Sequence, residues 1–278
     1  MGITPEWLRD LQYRFRRMTA DRPGRVHSNF GEEGVIDKYI ERFGIGDASR
    51  SAVDIGAGDG IRSSNTYHLF ARGWHGLGIE ADDIKYGRLR RTYSDLSGVV
   101  PCHSTVTVEN VISLLDANGI ERDFGVLSKD IDGNDYWVLD AILAKYRPRL
   151  IVSEYNEKIP PPLRFTVDYD PHFRLRHHFY GYSIAKLSDL LNKHDYVLLE
   201  VEYNNVFLAP RETPGAVGIS PEEAYAEGYR DRPDRKTKFS DNANMEPLLT
   251  MPPDAAVDFL NAFYKELAGE YTLEAGTK

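Results

Sequence analysis

The sequence predicts an α/β protein with a doubly wound, mostly parallel sheet that ends in an antiparallel hairpin. Short apolar runs alternate with helix-like segments from residue 52 onward, which is the pattern of a parallel sheet covered by helices on both faces. A glycine-rich turn follows the first of these runs. The last two runs, Tyr196–Glu202 and 206–209, are separated only by Tyr203-Asn204-Asn205, a typical hairpin connection.

Local signals predict each element in turn. Gly73 and Gly119 end two of the helices, and Ser183 caps the start of a third. Strands are expected at 52–55, 76–81, 98–103, 124–131 and 150–154. Helices are expected at 64–72, 83–93, 107–118, 135–146 and 183–194.

We expect three segments: an N-terminal helical appendage, a catalytic domain, and a C-terminal loop and helix that pack on the core. They cover residues 1–47, 48–210 and 211–278. The appendage is expected to be helical because Trp7, Leu11 and Phe15 follow helical spacing. Within the domain, the long irregular segment 156–182 is typical of a lid or acceptor-binding loop. A closing helix is expected at 253–267.

Composition excludes several function classes. A net charge of −9 over 278 residues argues against a general nucleic-acid-binding protein, since neutralising phosphates needs a basic surface. The arginines at positions 88, 90 and 91 are more typical of a solvated helix face than of a nucleic-acid-binding patch. One cysteine excludes an internal disulfide framework. No apolar run approaches the ~20 residues of a membrane span and no signal-peptide core is evident, so we expect a cytoplasmic protein.

The turn Asp54-Ile55-Gly56-Ala57-Gly58-Asp59-Gly60 follows the first predicted strand, and Glu80 ends the second. Gly56 and Gly58 let a ligand approach the backbone closely. Glu80, 26 positions after Asp54, is well placed to accept hydrogen bonds from both hydroxyls of a ribose. The unit therefore predicts a nucleoside cofactor at this sheet edge. The structural alternative is a glycine turn that simply follows a strand.

The spacing also indicates which cofactor binds. A dinucleotide fingerprint needs its third glycine where Ile61 stands. The carboxylates of Asp54 and Asp59 would repel a pyrophosphate, but they suit the cationic amino group of S-adenosylmethionine, which is the predicted cofactor. Two alternatives stay open. One is an NAD(P)-dependent oxidoreductase acting on a nucleotide sugar, and the other is a non-catalytic binding module that retains the cofactor fold.

Four stretches between about residues 25 and 210 resemble the FkbM-type branch of class I S-adenosylmethionine-dependent methyltransferases, which have a Rossmann-like sheet. They are Ser28-Asn29-Phe30-Gly31-Glu32-Glu33-Gly34, Asp54 to Gly60 with Ser64-Asn65-Thr66, Lys129-Asp130-Ile131-Asp132-Gly133-Asn134-Asp135, and Tyr203-Asn204-Asn205-Val206-Phe207-Leu208. The resemblance implies O-methylation of a hydroxyl on a glycan, glycolipid or natural-product acceptor, in polysaccharide or secondary-metabolite biosynthesis. A homo-oligomer stays open. The expected cofactor contacts are Asp54, Gly56, Gly58, Asn65, Glu80 and Ser104.

Acidic and amide side chains follow the fourth and fifth predicted strands. Asp130 and Asp132 come after the fourth strand, and Glu154 and Asn156 come at the end of the fifth. The carboxyl ends of neighbouring parallel strands line one crevice, and oxygen ligands suit Mg²⁺ or Mn²⁺. Because the resemblance also implies a divalent metal, the expected ligands are Asp130, Glu154 and Asn156. Asp132 or His178 is expected to take the hydroxyl proton. The structural alternative is that the segment after the fourth strand only forms a turn.

Overall fold

The computed structural model describes residues 4–20, 22 and 24–276, and within them it contains a seven-stranded sheet and a two-stranded sheet. The strands are β1 Ser51–Ile55, β2 His75–Glu80, β3 Val99–His103, β4 Val126–Lys129, β5 Leu150–Glu154, β6 Arg164–Val167, β7 Tyr196–Glu202, β8 Asn205–Pro210 and β9 Tyr271–Glu274. The α-helices are α1 Glu6–Met18, α2 Glu32–Arg42, α3 Ile45–Ala48, α4 Tyr67–Ala71, α5 Asp83–Tyr93, α6 Val111–Ala117, α7 Asp135–Leu143, α8 Ile184–His194, α9 Pro221–Tyr225, α10 Arg235–Lys238 and α11 Pro253–Phe263. No helix in the described ranges combines the length and apolar character needed to cross a membrane.

The large sheet has the strand order β3-β2-β1-β4-β5-β8-β7. Strands β1 to β5 pair in parallel, and β8 runs antiparallel to both of its neighbours, β5 and β7. This is the sheet of class I methyltransferases, so the predicted fold class is confirmed. The direction of winding reverses between β1 and β4, and ligands of doubly wound sheets bind outside the carboxyl ends of the strands at such a switch point.

Both faces of the large sheet are covered by apolar layers. Val53 and Ile55 of β1 belong to the layer formed with α6, α7 and α8. Ala52, one position away, belongs to the opposite layer formed with α2, α4 and α5. This alternation is the period of two expected for a strand buried on both sides. With both faces filled by apolar side chains, the carboxyl edge is where polar groups collect.

Two segments differ from the sequence-based expectation. The lid expected at 156–182 contains strand β6, which pairs antiparallel with β9 near the C-terminus. Both strands pack with α11 into a third apolar cluster, in which Phe165 contacts Tyr264 with ring centroids 5.8 Å apart. The polar stretch before α11, expected to be a loop, forms short helices, including a five-residue π-helix at Ala226–Arg230. Much of this region is therefore packed structure rather than irregular loop.

Candidate functional site

A cavity of about 680 Å³ opens at the carboxyl ends of β1, β2 and β4, at the switch point of the sheet. Four of the residues expected to contact the cofactor line it: Gly56, Gly58, Glu80 and Ser104. A volume of this size is within the range of pockets that hold small ligands and cofactors. The cavity therefore lies where the sequence analysis expects a nucleoside cofactor.

The two glycines of the β1 turn are required for different reasons. Gly56 has a φ of +88°, and a Cβ at this position would lie 1.8 Å from the backbone oxygen of Asp130. No larger residue fits there without moving the end of β4. Gly58 has a φ of +60°, and a Cβ would meet no atom within 4 Å. Gly56 thus allows the ends of β1 and β4 to approach, whereas Gly58 allows a left-handed turn at the cavity wall.

Glu80 links the ends of the first two strands. Its Oε2 accepts a hydrogen bond from the backbone N–H of Gly58 at 2.8 Å, and its Oε1 accepts one from Asp82 N–H at 2.8 Å. The side chain is buried on the protein side and lines the cavity on the other. A carboxylate offers about four lone-pair sites, so Glu80 retains acceptor capacity for two ligand hydroxyls.

Asp54 and Asn65, which were also expected to contact the cofactor, do not line the cavity. Asp54 is buried and accepts a hydrogen bond from the Thr66 hydroxyl at 2.7 Å, and this burial raises the pKa of Asp54 to about 6. Asn65 donates from its amide to the Ser128 hydroxyl at 3.4 Å. Both side chains fasten the loop after β1 to the sheet, because their hydrogen-bonding partners lie inside the protein.

Asp59 lines the cavity, but a cation compensates its charge. Its Oδ1 accepts hydrogen bonds from Ile61 N–H and Arg62 N–H, and its Oδ2 lies 2.6 Å from a guanidinium nitrogen of Arg16 in α1. Since Asp54 does not reach the cavity and Asp59 is paired, these two carboxylates do not by themselves exclude a pyrophosphate. The sequence analysis missed α1 as a cavity wall. No local signal could have revealed it, because Arg16 and Asp59 are 43 positions apart.

Asp130, Asp132 and Glu154 meet at the junction of two cavities, and we call these three residues the acidic cluster. One carboxylate oxygen of each lies within 4.8 Å of the other two. Asp130 and Asp132 line the large cavity, while Glu154 lines a second cavity of about 340 Å³. Glu154 Oε1 accepts a hydrogen bond from the Asn204 amide at 2.7 Å, but its Oε2 is buried and has no hydrogen-bond partner among the described residues.

The pKa values of all three carboxylates in the cluster are raised. Asp130 is exposed toward the cavity. Desolvation of its carboxylate, with the charges of Asp132 and Asp135, raises the pKa of Asp130 to about 7, whereas the adjacent Glu154 lowers it. Burial also raises the pKa of Asp132, and it raises the pKa of Glu154 well above its usual value, with Asp130 as the next contribution. The nearby Lys129 pairs with Asp135 instead. A divalent cation would compensate these negative charges, and Glu154 Oε2, which accepts no hydrogen bond from the described residues, is available as a ligand.

Asn156, an expected metal ligand, is fully buried, and its amide nitrogen donates to two backbone carbonyl oxygens of the following segment. Its Oδ1 is buried and accepts no hydrogen bond from the described residues, so its role as a ligand stays a prediction. Asp132, expected only as a base, lies with Asp130 and Glu154 in the acidic cluster, because a φ of +56° turns the chain back at the end of β4. Asp135 fixes this turn by accepting hydrogen bonds from Ile131 N–H and Gly133 N–H at 3.2 and 2.9 Å.

His178 lines the second cavity, but its ring is already engaged. Its Nε2 lies 2.9 Å from Oδ1 of Asn244. Burial is the main cause that lowers the pKa of His178 to about 4, and the neighbouring His177 and Lys158 lower it further. The ring is therefore neutral at pH 7 and weakly basic. That His178 takes the hydroxyl proton stays a prediction, and the acidic cluster is better suited to this role.

No protein-family model matches the chain, and no curated protein matches it. Among solved structures it is similar to an O-methyltransferase described as putative from Klebsiella pneumoniae, with 14% identity over 75% of this chain and 90% of that one, at a TM-score of 0.43. It is also similar to a SAM-bound amino pentose methyltransferase from Micromonospora echinaspora, with 13% identity, 76% and 99% coverage, and a TM-score of 0.43. An O-methyltransferase from Bacillus cereus in complex with SAH shows 14% identity, 74% and 92% coverage, and a TM-score of 0.42. The fold assignment rests on the strand order of the sheet itself.

Proposed function

We propose that this protein is an S-adenosylmethionine-dependent O-methyltransferase that modifies a hydroxyl of a sugar-containing or natural-product acceptor with the help of a divalent cation. The observation that carries the proposal is the arrangement of two cavities that meet at three carboxylates, at the switch point of a class I methyltransferase sheet. In this proposal the large cavity receives the methyl donor and the second cavity receives the acceptor.

The large cavity suits S-adenosylmethionine at both of its ends. At the end of β2, Glu80 has lone pairs left for the two ribose hydroxyls, and Ser104 lines the wall beyond β3. At the end of β4, Asp130 and Asp132 place negative charge beside the position where the cationic sulfonium would lie. The donor would therefore be oriented with its methyl group toward the acidic cluster.

The second cavity suits a hydroxyl-rich acceptor because polar side chains line it, among them Lys158, Tyr180, Asn204 and Lys238. The acceptor oxygen would attack the methyl carbon in line with the carbon–sulfur bond. A carbon–oxygen bond forms, and the electron pair of the broken bond returns to sulfur. The hydroxyl proton is transferred to Asp132. Holding the two reactants in this geometry supplies most of the catalysis.

The acidic cluster would bind a divalent cation through one oxygen of each carboxylate, which leaves the second oxygen of Asp132 free to accept the proton. Oxygen-only ligands fit Mg²⁺ or Mn²⁺. When bound, such a cation lowers the pKa of a coordinated acceptor hydroxyl. The fit of these residues to a cation rests on the buried Glu154 Oε2, which accepts no hydrogen bond from the described residues, and on three carboxylate oxygens that lie within 4.8 Å of one another.

The metal site can be tested directly by titrating EDTA-treated protein with Mn²⁺ and following free Mn²⁺ by electron paramagnetic resonance. We expect one site per chain, weakened at least about tenfold in Asp130→Asn and in Glu154→Gln. Asp231→Asn, which changes an exposed carboxylate, is the matched control and should bind as the unmodified protein does. Equal Mn²⁺ binding by all four proteins would remove the metal from the proposal.

The reaction is tested with methyl-labelled donor and a panel of sugar and natural-product acceptors. Label transfer that EDTA abolishes supports the full proposal, while transfer that EDTA leaves unchanged would remove the cation and leave Asp132 as the base. Donor binding with no transfer to any acceptor would favour a non-catalytic binding module. A fluorescence change of NADH on mixing, with no donor binding, would favour the oxidoreductase alternative.

A further inference from the structure

The inner side of α1 forms one wall of the large cavity. Arg9, Gln12 and Arg16 lie three and four positions apart, so they share one side of the helix, and all three line the cavity. Glu6 lines it as well, but its carboxylate pairs with Arg88 of α5. Helix α1 therefore presents two arginines to a cavity whose sheet edge is lined by carboxylates.

Arg16 is fixed at the turn after β1. Its Nη2 lies 2.6 Å from Oδ2 of Asp59, and the side chains of the pair are 20% and 8% exposed. Asp59 also accepts hydrogen bonds from two backbone N–H groups, so Arg16 is not the only group that compensates its charge. A guanidinium has several N–H donors in a planar fork. Arg16 therefore keeps donors for a ligand in the cavity, while Asp59 holds it in place.

The methyl donor proposed for this cavity carries charges of both signs. Beyond its cationic sulfur, S-adenosylmethionine has an amino-acid tail that ends in an ammonium group and a carboxylate. With the ribose at Glu80 and the sulfur beside Asp130, this tail would lie along the turn after β1. Gly58 leaves the wall open there, and Arg16 is fixed beside it. The fork of a guanidinium matches the two oxygens of a carboxylate, whereas the carboxylates of the sheet edge would repel that group.

We propose that Arg16 binds the carboxylate of the donor's amino-acid tail, so that α1 selects ligands that carry this group. The inference rests on the proposed function, because it assigns a residue within the methyl-donor site. The alternative is that Arg16 only fastens α1 to Asp59. Fastening alone would influence every ligand of the cavity equally, whereas direct contact influences only ligands that have the carboxylate. The two roles therefore differ in how binding depends on this one group of the ligand.

The test is calorimetric titration of the full-length protein with S-adenosylhomocysteine and with S-adenosyl-3-thiopropylamine. The second ligand keeps the nucleoside, the sulfur and the amine but lacks the carboxylate. We expect S-adenosylhomocysteine to bind at least about tenfold more tightly, because a hydrogen bond between charged groups is among the stronger ones. Arg16→Gln should weaken S-adenosylhomocysteine by at least about tenfold and change the affinity for the second ligand by less than about twofold. Arg16→Lys keeps the charge without the fork and should retain part of the preference.

Arg17→Gln is the matched control. Arg17 is the next residue of α1 and also pairs with an aspartate, Asp95, but it does not line the cavity. This variant should bind both ligands as the unmodified protein does. Equal affinity of the unmodified protein for the two ligands, or an equal loss of both in Arg16→Gln, would overturn the inference and leave the proposed function intact. Binding of neither ligand to the unmodified protein would contradict the proposed function, and the inference with it.

Discussion

Lys129 and Asp135 form a buried ion pair beneath the acidic cluster. Their side chains are 0% and 2% exposed, and Nζ lies 2.5 Å from Oδ1. Lys129→Met removes the cation with little change of side-chain length and leaves the carboxylate of Asp135 buried and unpaired. Because an uncompensated buried charge is strongly unfavourable, we expect the free energy of unfolding to fall by about 3–5 kcal/mol. That is a large fraction of the roughly 5–15 kcal/mol that stabilises a typical domain.

A double-mutant cycle separates the charge effect from simple loss of packing. Asp135→Asn alone leaves Lys129 unpaired and should also destabilise the fold. In the Lys129→Met background, however, Asp135→Asn removes the unpaired charge, and its amide oxygen can still accept the hydrogen bond from Gly133 N–H. We therefore expect the double variant to be more stable than Lys129→Met, with a coupling energy of about 2–3 kcal/mol.

Urea unfolding followed by circular dichroism measures all four corners of the cycle, and an unchanged m-value shows that the denatured state is unaffected. Lys193→Met is the matched control. Lys193 also pairs with an aspartate, Asp140, but it is 58% exposed, so its removal should change stability by less than about 1 kcal/mol. A loss below about 1 kcal/mol in Lys129→Met, or strictly additive effects in the double variant, would refute the reasoning.

Two further predictions concern the turn after β1. Gly56→Ala would place a Cβ 1.8 Å from the backbone oxygen of Asp130, so we expect it to abolish measurable binding of S-adenosylhomocysteine in calorimetry. Gly119→Ala is the control: at φ +66° with open space around it, the change should cost about 1–2 kcal/mol of stability and leave binding intact. Equal binding of S-adenosylhomocysteine by Gly56→Ala and Gly119→Ala would contradict the steric argument. Burial raises the pKa of Asp54 from about 3.9 in the unfolded chain to about 6 in the folded protein. The folded protein therefore binds this proton more tightly than the unfolded chain does. As a result, the unmodified protein loses stability as the pH rises from about 4 to about 6. Asp54→Asn should therefore gain up to about 3 kcal/mol relative to the unmodified protein between pH 4 and pH 7 in urea unfolding, and a pH-independent difference would show that Asp54 does not titrate in this way.

Features set by local chemistry were predictable from the sequence. The hairpin between β7 and β8 forms at Tyr203, whose φ of +54° is the left-handed turn that the short connection requires. Glu80 ends its strand beside Gly58, as the spacing of the turn predicts. Asp130 and Glu154 meet because β4 and β5 are neighbours in the sheet, which follows from the order of a doubly wound fold.

Features set by distant contacts were not predictable. Strand β6 forms because Arg164 to Val167 find partners in β9, more than 100 positions later, and neither strand has a strong pattern of its own. The surroundings of Asp132 and Asn156 also depend on contacts that the sequence does not indicate. The left-handed turn at Asp132 brings its carboxylate to the cluster. The Asn156 amide nitrogen donates to backbone carbonyl groups of a later segment, and the sequence around Asn156 does not indicate this contact.

The most direct test of the central claim is calorimetric titration of the EDTA-treated protein with S-adenosylhomocysteine, repeated with NADH in place of that ligand. The large cavity at the switch point, with Glu80 at one end and the acidic cluster at the other, predicts saturable binding of S-adenosylhomocysteine with one site per chain and no binding of NADH. Binding of NADH without binding of S-adenosylhomocysteine would contradict the assignment of this cavity to a methyl donor, and with it the proposed function.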